Sequence, residues 1–219
     1  MKILAIIPAR GGSKGIPGKN IKLLNSKPLI AYTIESVLAS NIDRVIVSTD
    51  CNEIAKISKE YGAEVFRRSP RLAEDKTSTL PVLQDVISKL DEKFYAVMTL
   101  QPTSPLRTAD DINKSIELFS NDKEADSLVS VVEVPHNYIP EKLMDLEGKY
   151  LVGNSEVKRR QDVNTMYARN GAAIYITRTE KLSKYIFGGK ILPYFMSKAS
   201  SFDIDEIEDW KIVEKLIEK

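Results

Sequence analysis

I-L-A-I-I-P-A-R-G-G-S-K-G-I-P-G-K-N, residues Ile3–Asn20, decides how the rest of the chain is read. The apolar run Lys2–Pro8 stops abruptly at loop residues, the pattern of a short buried strand. Ala9–Asn20 then holds four glycines, three cations and one serine. Glycines let backbone N–H groups turn toward an anion at little steric cost. Arg10, Lys14 and Lys19 supply the countercharge that several phosphates need. A solvated basic turn between a strand and a helix is the plain alternative. The loop is no Walker A motif, because Ser13 replaces the first glycine and Asn20 the final Ser or Thr. Its glycines, at 11, 12, 15 and 18, also miss the dinucleotide spacing.

Outward from that loop, strand and helix patterns alternate. Pro28 opens a helix over Leu29–Ser40, Arg44–Ser48 is a second strand, Glu53–Tyr61 a helix and Ala63–Phe66 a third strand. Arg67–Ser78 has no period and reads as a long functional loop. Thr79 is placed to cap the next helix, with Val82 and Val86 inward. Phe94–Leu100 is a fourth strand with Gln101–Arg107 as its exit loop. Thr108-Ala-Asp-Asp111 is a capping box for a helix to about Ser120, and Ser127–Val134 is a fifth strand. This alternation predicts a doubly wound, mostly parallel α/β sheet. If the strand order begins 3-2-1-4, the loops after strands one and four flank the crevice where such sheets bind ligands. Gln101 then faces the basic loop.

The pattern breaks at Pro135. Pro135–Met166 lacks regular apolar order and is long for a loop, so it is either a dimer arm or a solvated excursion. Ala172–Thr177 follows as a strand, Thr179–Phe187 as a short helix, and Ile191–Met196 as an edge strand because it contains Pro193. In S-S-F-D-I-D, Ser200–Asp205, the two aspartates alternate on an extended stretch and so share a face. Two oxygen ligands on one side suit Mg²⁺, which takes its remaining ligands from water and phosphate. An exposed acidic turn is the alternative. The closing helix aligns Ile207, Trp210, Val213 and Leu216/Ile217.

Composition narrows the field. The 219 residues fit one domain, 42% of them are hydrophobic, and the net charge is +1. That balance gives no general affinity for nucleic acid or anionic membrane, so any basic site is local. One cysteine, Cys51, and one histidine, His136, rule out a disulfide framework and multi-imidazole zinc chemistry. No secretory signal or membrane-length apolar run is visible, which predicts a soluble cytoplasmic protein.

Six motifs together resemble the acylneuraminate cytidylyltransferases, or CMP-sialic acid synthetases, with their legionaminic and pseudaminic acid relatives. They are I-I-P-A-R-G-G-S-K-G-I-P-G-K-N, V-S-T-D at Val47–Asp50, L-Q-P-T-S-P-L-R at Leu100–Arg107, R-Q-D at Arg160–Asp162, N-G-A-A-I-Y-I at Asn170–Ile176, and the late D-I-D. The resemblance covers essentially the whole chain. It implies a Rossmann-like nucleotidyltransferase fold, one domain over 1–219 with a dimerisation arm near 135–166, and a homodimer. It implies transfer of CMP from CTP to the anomeric hydroxyl of a nine-carbon sugar acid, with release of pyrophosphate and with Mg²⁺ as cofactor. Carried over by position, Arg10, Ser13, Lys14 and Lys19 hold the triphosphate, with Asn20 beside the nucleotide and Arg68 and Thr79 near base and ribose. Gln101 contacts the sugar acid, Asn170 belongs to the substrate side, and Asp203 and Asp205 hold the metal. Arg160 and Gln161 reach toward a neighbouring subunit's site. Arg10, Lys14, Lys19 and Asp205 are the expected catalytic set, and no side-chain general base is apparent.

Two departures matter. Arg67-Arg68-Ser-Pro-Arg71 leaves the register of the base-side arginine open among three candidates. Arg169 stands before Asn-Gly where relatives carry an apolar residue, either to bind an acidic group or to pair with a surface carboxylate. A nucleotidyltransferase acting on a sugar 1-phosphate or another keto-sugar acid, and a non-catalytic nucleotide-binding subunit, are the competing readings.

Overall fold

The computed structural model describes residues 1–13, 15–153, 161 and 164–218. The first strand, β1 (Ile3–Pro8), is buried almost throughout, and its two sets of side chains enter different cores. After it come the short strands β2 (Leu23–Leu24) and β3 (Lys27–Pro28), α1 (Leu29–Leu38), β4 (Arg44–Thr49), α2 (Asn52–Glu60) and β5 (Glu64–Arg67). α3 (Thr79–Ser88), β6 (Ala96–Thr99), α4 (Ala109–Asn121) and β7 (Ser127–Glu133) complete the winding. Ile3, Ala5 and Ile7 pack with Ile34 of α1, Ile54 of α2 and Phe119 of α4, whereas Leu4 and Ile6 meet Leu83 and Val86 of α3. Alternation along one strand thus assigns helices to both faces of the sheet.

β1 pairs in parallel with β4 on one side and with β6 on the other, and β4 pairs in parallel with β5. The order β5-β4-β1-β6 is the expected 3-2-1-4 beginning, so the winding reverses between β1 and β6. Their exit loops flank the crevice that this reversal opens.

Beyond β6 the sheet leaves the parallel run while staying mostly parallel, as expected. The strand predicted at Ala172–Thr177 is β11 (Tyr175–Arg178), and it runs antiparallel between β6 and β7. The parallel winding is therefore interrupted, and Ala172–Ile174 becomes a buried loop at the crevice. The sheet is mixed with a mostly parallel core. β7 is completed by antiparallel β10 (Tyr167–Arg169) and parallel β12 (Ile191–Phe195). Among the described residues β12 pairs with β7 alone, as suits Pro193 in an edge strand.

Local signals fared well where side chains cap helices. Thr108 Oγ1 accepts from the Asp111 N–H at 3.1 Å, and Asp111 Oδ2 accepts from the Thr108 N–H at 2.9 Å. At α3 the N-cap is Ser78 rather than Thr79, which is the first helical residue. The segment Thr179–Phe187 is no helix beyond a 3-10 turn over Thr179–Ser183. Pro135–Met166 contains 3-10 turns and a hairpin, β8 (Met144–Glu147) and β9 (Tyr150–Gly153), which turns at Gly148.

α5 (Ile207–Ile217) closes the chain over the basic loop. Trp210 and Val213 pack with Ile16 of that loop, with Leu24 and Leu29, and with fully buried Ile204. Ile204 is the residue between the two late aspartates. Its burial fixes the strand-like alternation that turns both neighbours away from this core.

Candidate active site

The loop after β1 is held in shape both from outside and by its own residues. Asp50, at the exit of β4, accepts from the Gly11 N–H at 3.0 Å, and buried Asn20 donates to the Arg10 carbonyl at 3.0 Å. Lys19, almost buried, donates through Nζ to the Ile204 carbonyl at 2.6 Å and lies 3.6 Å from Asp205 Oδ1. One cation therefore ties the start of the chain to its end. Gly15 allows this approach, since a Cβ there would stand 2.5 Å from the Asp205 carbonyl oxygen.

Between the loops after β1 and β6 lies a cleft of about 400 Å³. Arg10, Ser13, Lys19, Asn20, Arg68, Thr79, Gln101 and Asp205, eight of the residues singled out from sequence, all line it. Across the mouth, Arg10 Nη1 pairs with Asp75 Oδ1 at 2.8 Å. Of the three arginines, Arg68 is the one that lines this cleft. Arg68 is buried and donates to the Ser48 carbonyl at 2.6 Å, whereas Arg67 turns to Cys51, Asp50 and Asn52. Burial pushes the Arg68 guanidinium down from its ordinary value, and nearby Arg10 adds to the effect. Its Nε is buried without a partner among the described residues, beside the cleft.

Asp203 is half-buried behind Asp205, and its Oδ1 accepts from Ser104 Oγ at 3.3 Å. Burial raises its pKa, the charge of Asp205 adds to this, and Ser104 and Lys19 oppose it. A carboxylate held in that state gains from a nearby cation. Gly171, at φ +63°, makes the space: a Cβ there would stand 2.6 Å from Asp203 Oδ2. Among the described residues no cluster of three or more His, Cys, Asp or Glu could hold a metal. Asp205 lines the cleft, and Asp203, which does not, is near enough to feel its charge; such a pair fits Mg²⁺, a hard cation that completes its shell from phosphate and water.

Other expected residues lie elsewhere. Asn170 is buried and fully engaged: Oδ1 accepts from Ser130 Oγ at 2.7 Å, and Nδ2 donates to Ser201 Oγ at 3.0 Å. It braces the loop before β11 and is not among the residues lining this cleft. Gln161 is exposed and is not among the residues lining this cleft. Lys14 and Arg160 lie outside the described residues.

A second cleft, of about 630 Å³, adjoins the first and shares Ser78, Thr79 and Gln101 with it. Its far wall is Tyr175, Tyr185, Ile186 and Phe187, with Arg169 at the rim. Sequence reasoning missed this wall, because Tyr185–Phe187 looks like any apolar helix end. It also missed Arg107, which is buried and donates to the Ala173 carbonyl at 2.7 Å and to Thr33 Oγ1 at 2.8 Å. Burial pushes its pKa down to about 9, so it stays charged at neutral pH. Arg107 locks the Gln101 loop to the loop before β11.

Comparison with known proteins bears on family and fold. A sequence model of the family described as cytidylyltransferase matches residues 4–216. The chain is 35% identical over 227 residues to post-translational flagellin modification protein B of Campylobacter coli, covering 100% of this chain and 96% of that protein. It is 35% identical over 228 residues to CMP-N,N'-diacetyllegionaminic acid synthase of Legionella pneumophila subsp. pneumophila, covering 100% and 97%. The solved CMP:2-keto-3-deoxy-manno-octonic acid synthetase complexed with CTP superimposes with a TM-score of 0.77 at 17% identity, over 100% of this chain and 99% of that one. That likeness concerns the fold. No helix among the described residues is long and apolar enough to cross a membrane.

Proposed function

The chain belongs to the cytidylyltransferase family, and we propose that it transfers CMP from CTP to the anomeric hydroxyl of a nonulosonic acid, releasing pyrophosphate. The observation that carries this reading is the meeting of the β1 loop with Asp205 through Lys19, beside a second cleft that shares Gln101. The first cleft takes the nucleotide and the second takes the sugar acid. The two openings join where a hydroxyl would meet the α-phosphorus.

The chemistry needs little from the side chains beyond charge and placement. A triphosphate repels an incoming oxygen nucleophile, and Arg10, Lys19 and the N–H groups of the glycine loop offset that repulsion. The same groups stabilise charge on the departing pyrophosphate. Asp50 and Asn20 keep the loop in shape before substrate arrives, so little reorganisation is left for the reaction. Arg68 and Thr79 approach the nucleoside end, and Gln101 orients the sugar acid across the shared wall. Mg²⁺, held by Asp203 and Asp205, would supply Lewis-acid polarisation of the phosphate.

Leu146, Tyr150 and Leu151 on the β8–β9 hairpin are 70%, 65% and 64% exposed, an apolar surface that supports a homodimer through this arm. Substrates of this kind place the protein in the cytoplasm. Pyrophosphate release tests the reading, with CTP, Mg²⁺ and a panel of nonulosonic acids and sugar 1-phosphates. Release with CTP and an acid supports it; release only with a sugar phosphate overturns it.

A further inference from the structure

Arg169 ends β10 at the rim of the second cleft and is the one charged side chain among the described residues lining it. Its neighbours on that wall are aromatic, aliphatic or neutral polar. The guanidinium carbon lies 4.5 Å from the centroid of the Phe187 ring, stacked on its face. Nη1 donates to the Tyr175 hydroxyl at 3.3 Å, and the buried Tyr175 ring meets Phe187 edge-on at 5.1 Å. Two aromatic rings thus set the plane of the cation. Among the described residues no carboxylate forms an ion pair with Arg169, and no acceptor takes its Nε or Nη2 donors. The surface-pairing alternative therefore finds no partner there. What remains is a planar, oriented fork with two nitrogens uncommitted among the described residues, the geometry that receives a carboxylate bidentately.

We infer that Arg169 is a specificity-determining residue that receives the carboxylate of the sugar acid, an inference resting on the proposed role of the second cleft. A 2-keto-sugar acid carries one negative charge at neutral pH, on the carboxylate attached to its anomeric carbon; its hydroxyl and acyl substituents are neutral. One cation in an otherwise uncharged wall matches that distribution. The apolar surroundings strengthen the attraction relative to open water. The stack on Phe187 also explains why arginine rather than lysine stands there, since an ammonium could not keep the same plane and fork.

The test is a cycle between the residue and the substrate group. Wild type, Arg169→Gln and Arg169→Lys are each assayed for pyrophosphate release with CTP and either N,N'-diacetyllegionaminic acid or its methyl ester. Thermal melting and the KM for CTP report that fold and nucleotide cleft are intact. The wild type should lose about 10- to 100-fold in kcat/KM on the ester, as for a lost hydrogen bond to a charged group. Arg169→Gln should lose a similar factor on the acid, mostly in KM for the acid, and little more on the ester. Arg169→Lys should recover part of the loss. A full ester penalty persisting in Arg169→Gln, with the KM for the acid unchanged, would overturn the inference while leaving the functional reading intact. No turnover of any nonulosonic acid by the wild type would overturn that reading first, and this inference with it.

Discussion

Replacing Gly171 with alanine perturbs the candidate metal site without touching an ionisable group. Gly171 holds φ +63°, a region that costs an L-residue about 1–2 kcal/mol. The added Cβ would stand 2.6 Å from Asp203 Oδ2 and 2.9 Å from its Cγ, where ordinary contact begins at 3.4 Å. The carboxylate, or the loop before β11, must therefore retreat by about 0.8 Å. A displacement of about 1 Å in a positioned group costs on the order of 10²-fold in rate. Gly171→Ala should lower kcat for pyrophosphate release about 10- to 100-fold and raise the Mg²⁺ concentration needed for half-maximal rate. The melting temperature should fall by about 2–4 °C for each kcal/mol of strain in a chain of this size. In an Asp203→Ala background the same substitution should cost little further activity, because the group it displaces is gone. Wild-type kcat and Mg²⁺ dependence in Gly171→Ala would refute the placement of Asp203 at the reacting centre.

Lys19→Met removes both the tie to Ile204 and a countercharge, and should cost about 10²–10³-fold in kcat/KM for CTP, measured by initial rates. Asp50→Ala deprives the Gly11 N–H of its acceptor; CTP affinity by calorimetry should weaken roughly tenfold, from about 1–3 kcal/mol of lost support. Asp203 gives a pH dependence whose sign follows from its raised pKa. The folded metal-free chain holds this proton more tightly than the unfolded one, so stability falls as pH rises from the ordinary value of 3.8 through the folded value. Above that window Asp203→Asn should melt at a higher temperature than the wild type in chelator, and Mg²⁺ with nucleotide should narrow the gap.

The first half of the sheet was legible because its signals are local and redundant. β1 is a continuous apolar run, Thr108 and Asp111 cap each other, and helices alternate with strands through β7. The switch-point rule then needed only the strand order to bring Gln101 opposite the basic loop. The second half was less legible because β11 enters the sheet against the winding direction, a choice made by tertiary pairing with β6 and β7. Nothing in A-A-I-Y-I-T states a strand's direction. The surroundings of Asn170 were illegible for a related reason: the family resemblance puts it on the substrate side, while its amide partners, Ser130 and Ser201, are distant in sequence. Asp50 and Arg107 were quoted within motifs, but their partners, Gly11 and the Ala173 carbonyl, are set only by the folded chain.

The most direct measurement is pyrophosphate release from CTP and a nonulosonic acid in the presence of Mg²⁺, with the CMP-sugar product identified by mass. The account predicts one pyrophosphate and one CMP-linked acid per turnover, lost on chelation and on Asp205→Asn. Turnover that survives Asp205→Asn at saturating Mg²⁺, or that proceeds with sugar phosphates but with no nonulosonic acid, would contradict it.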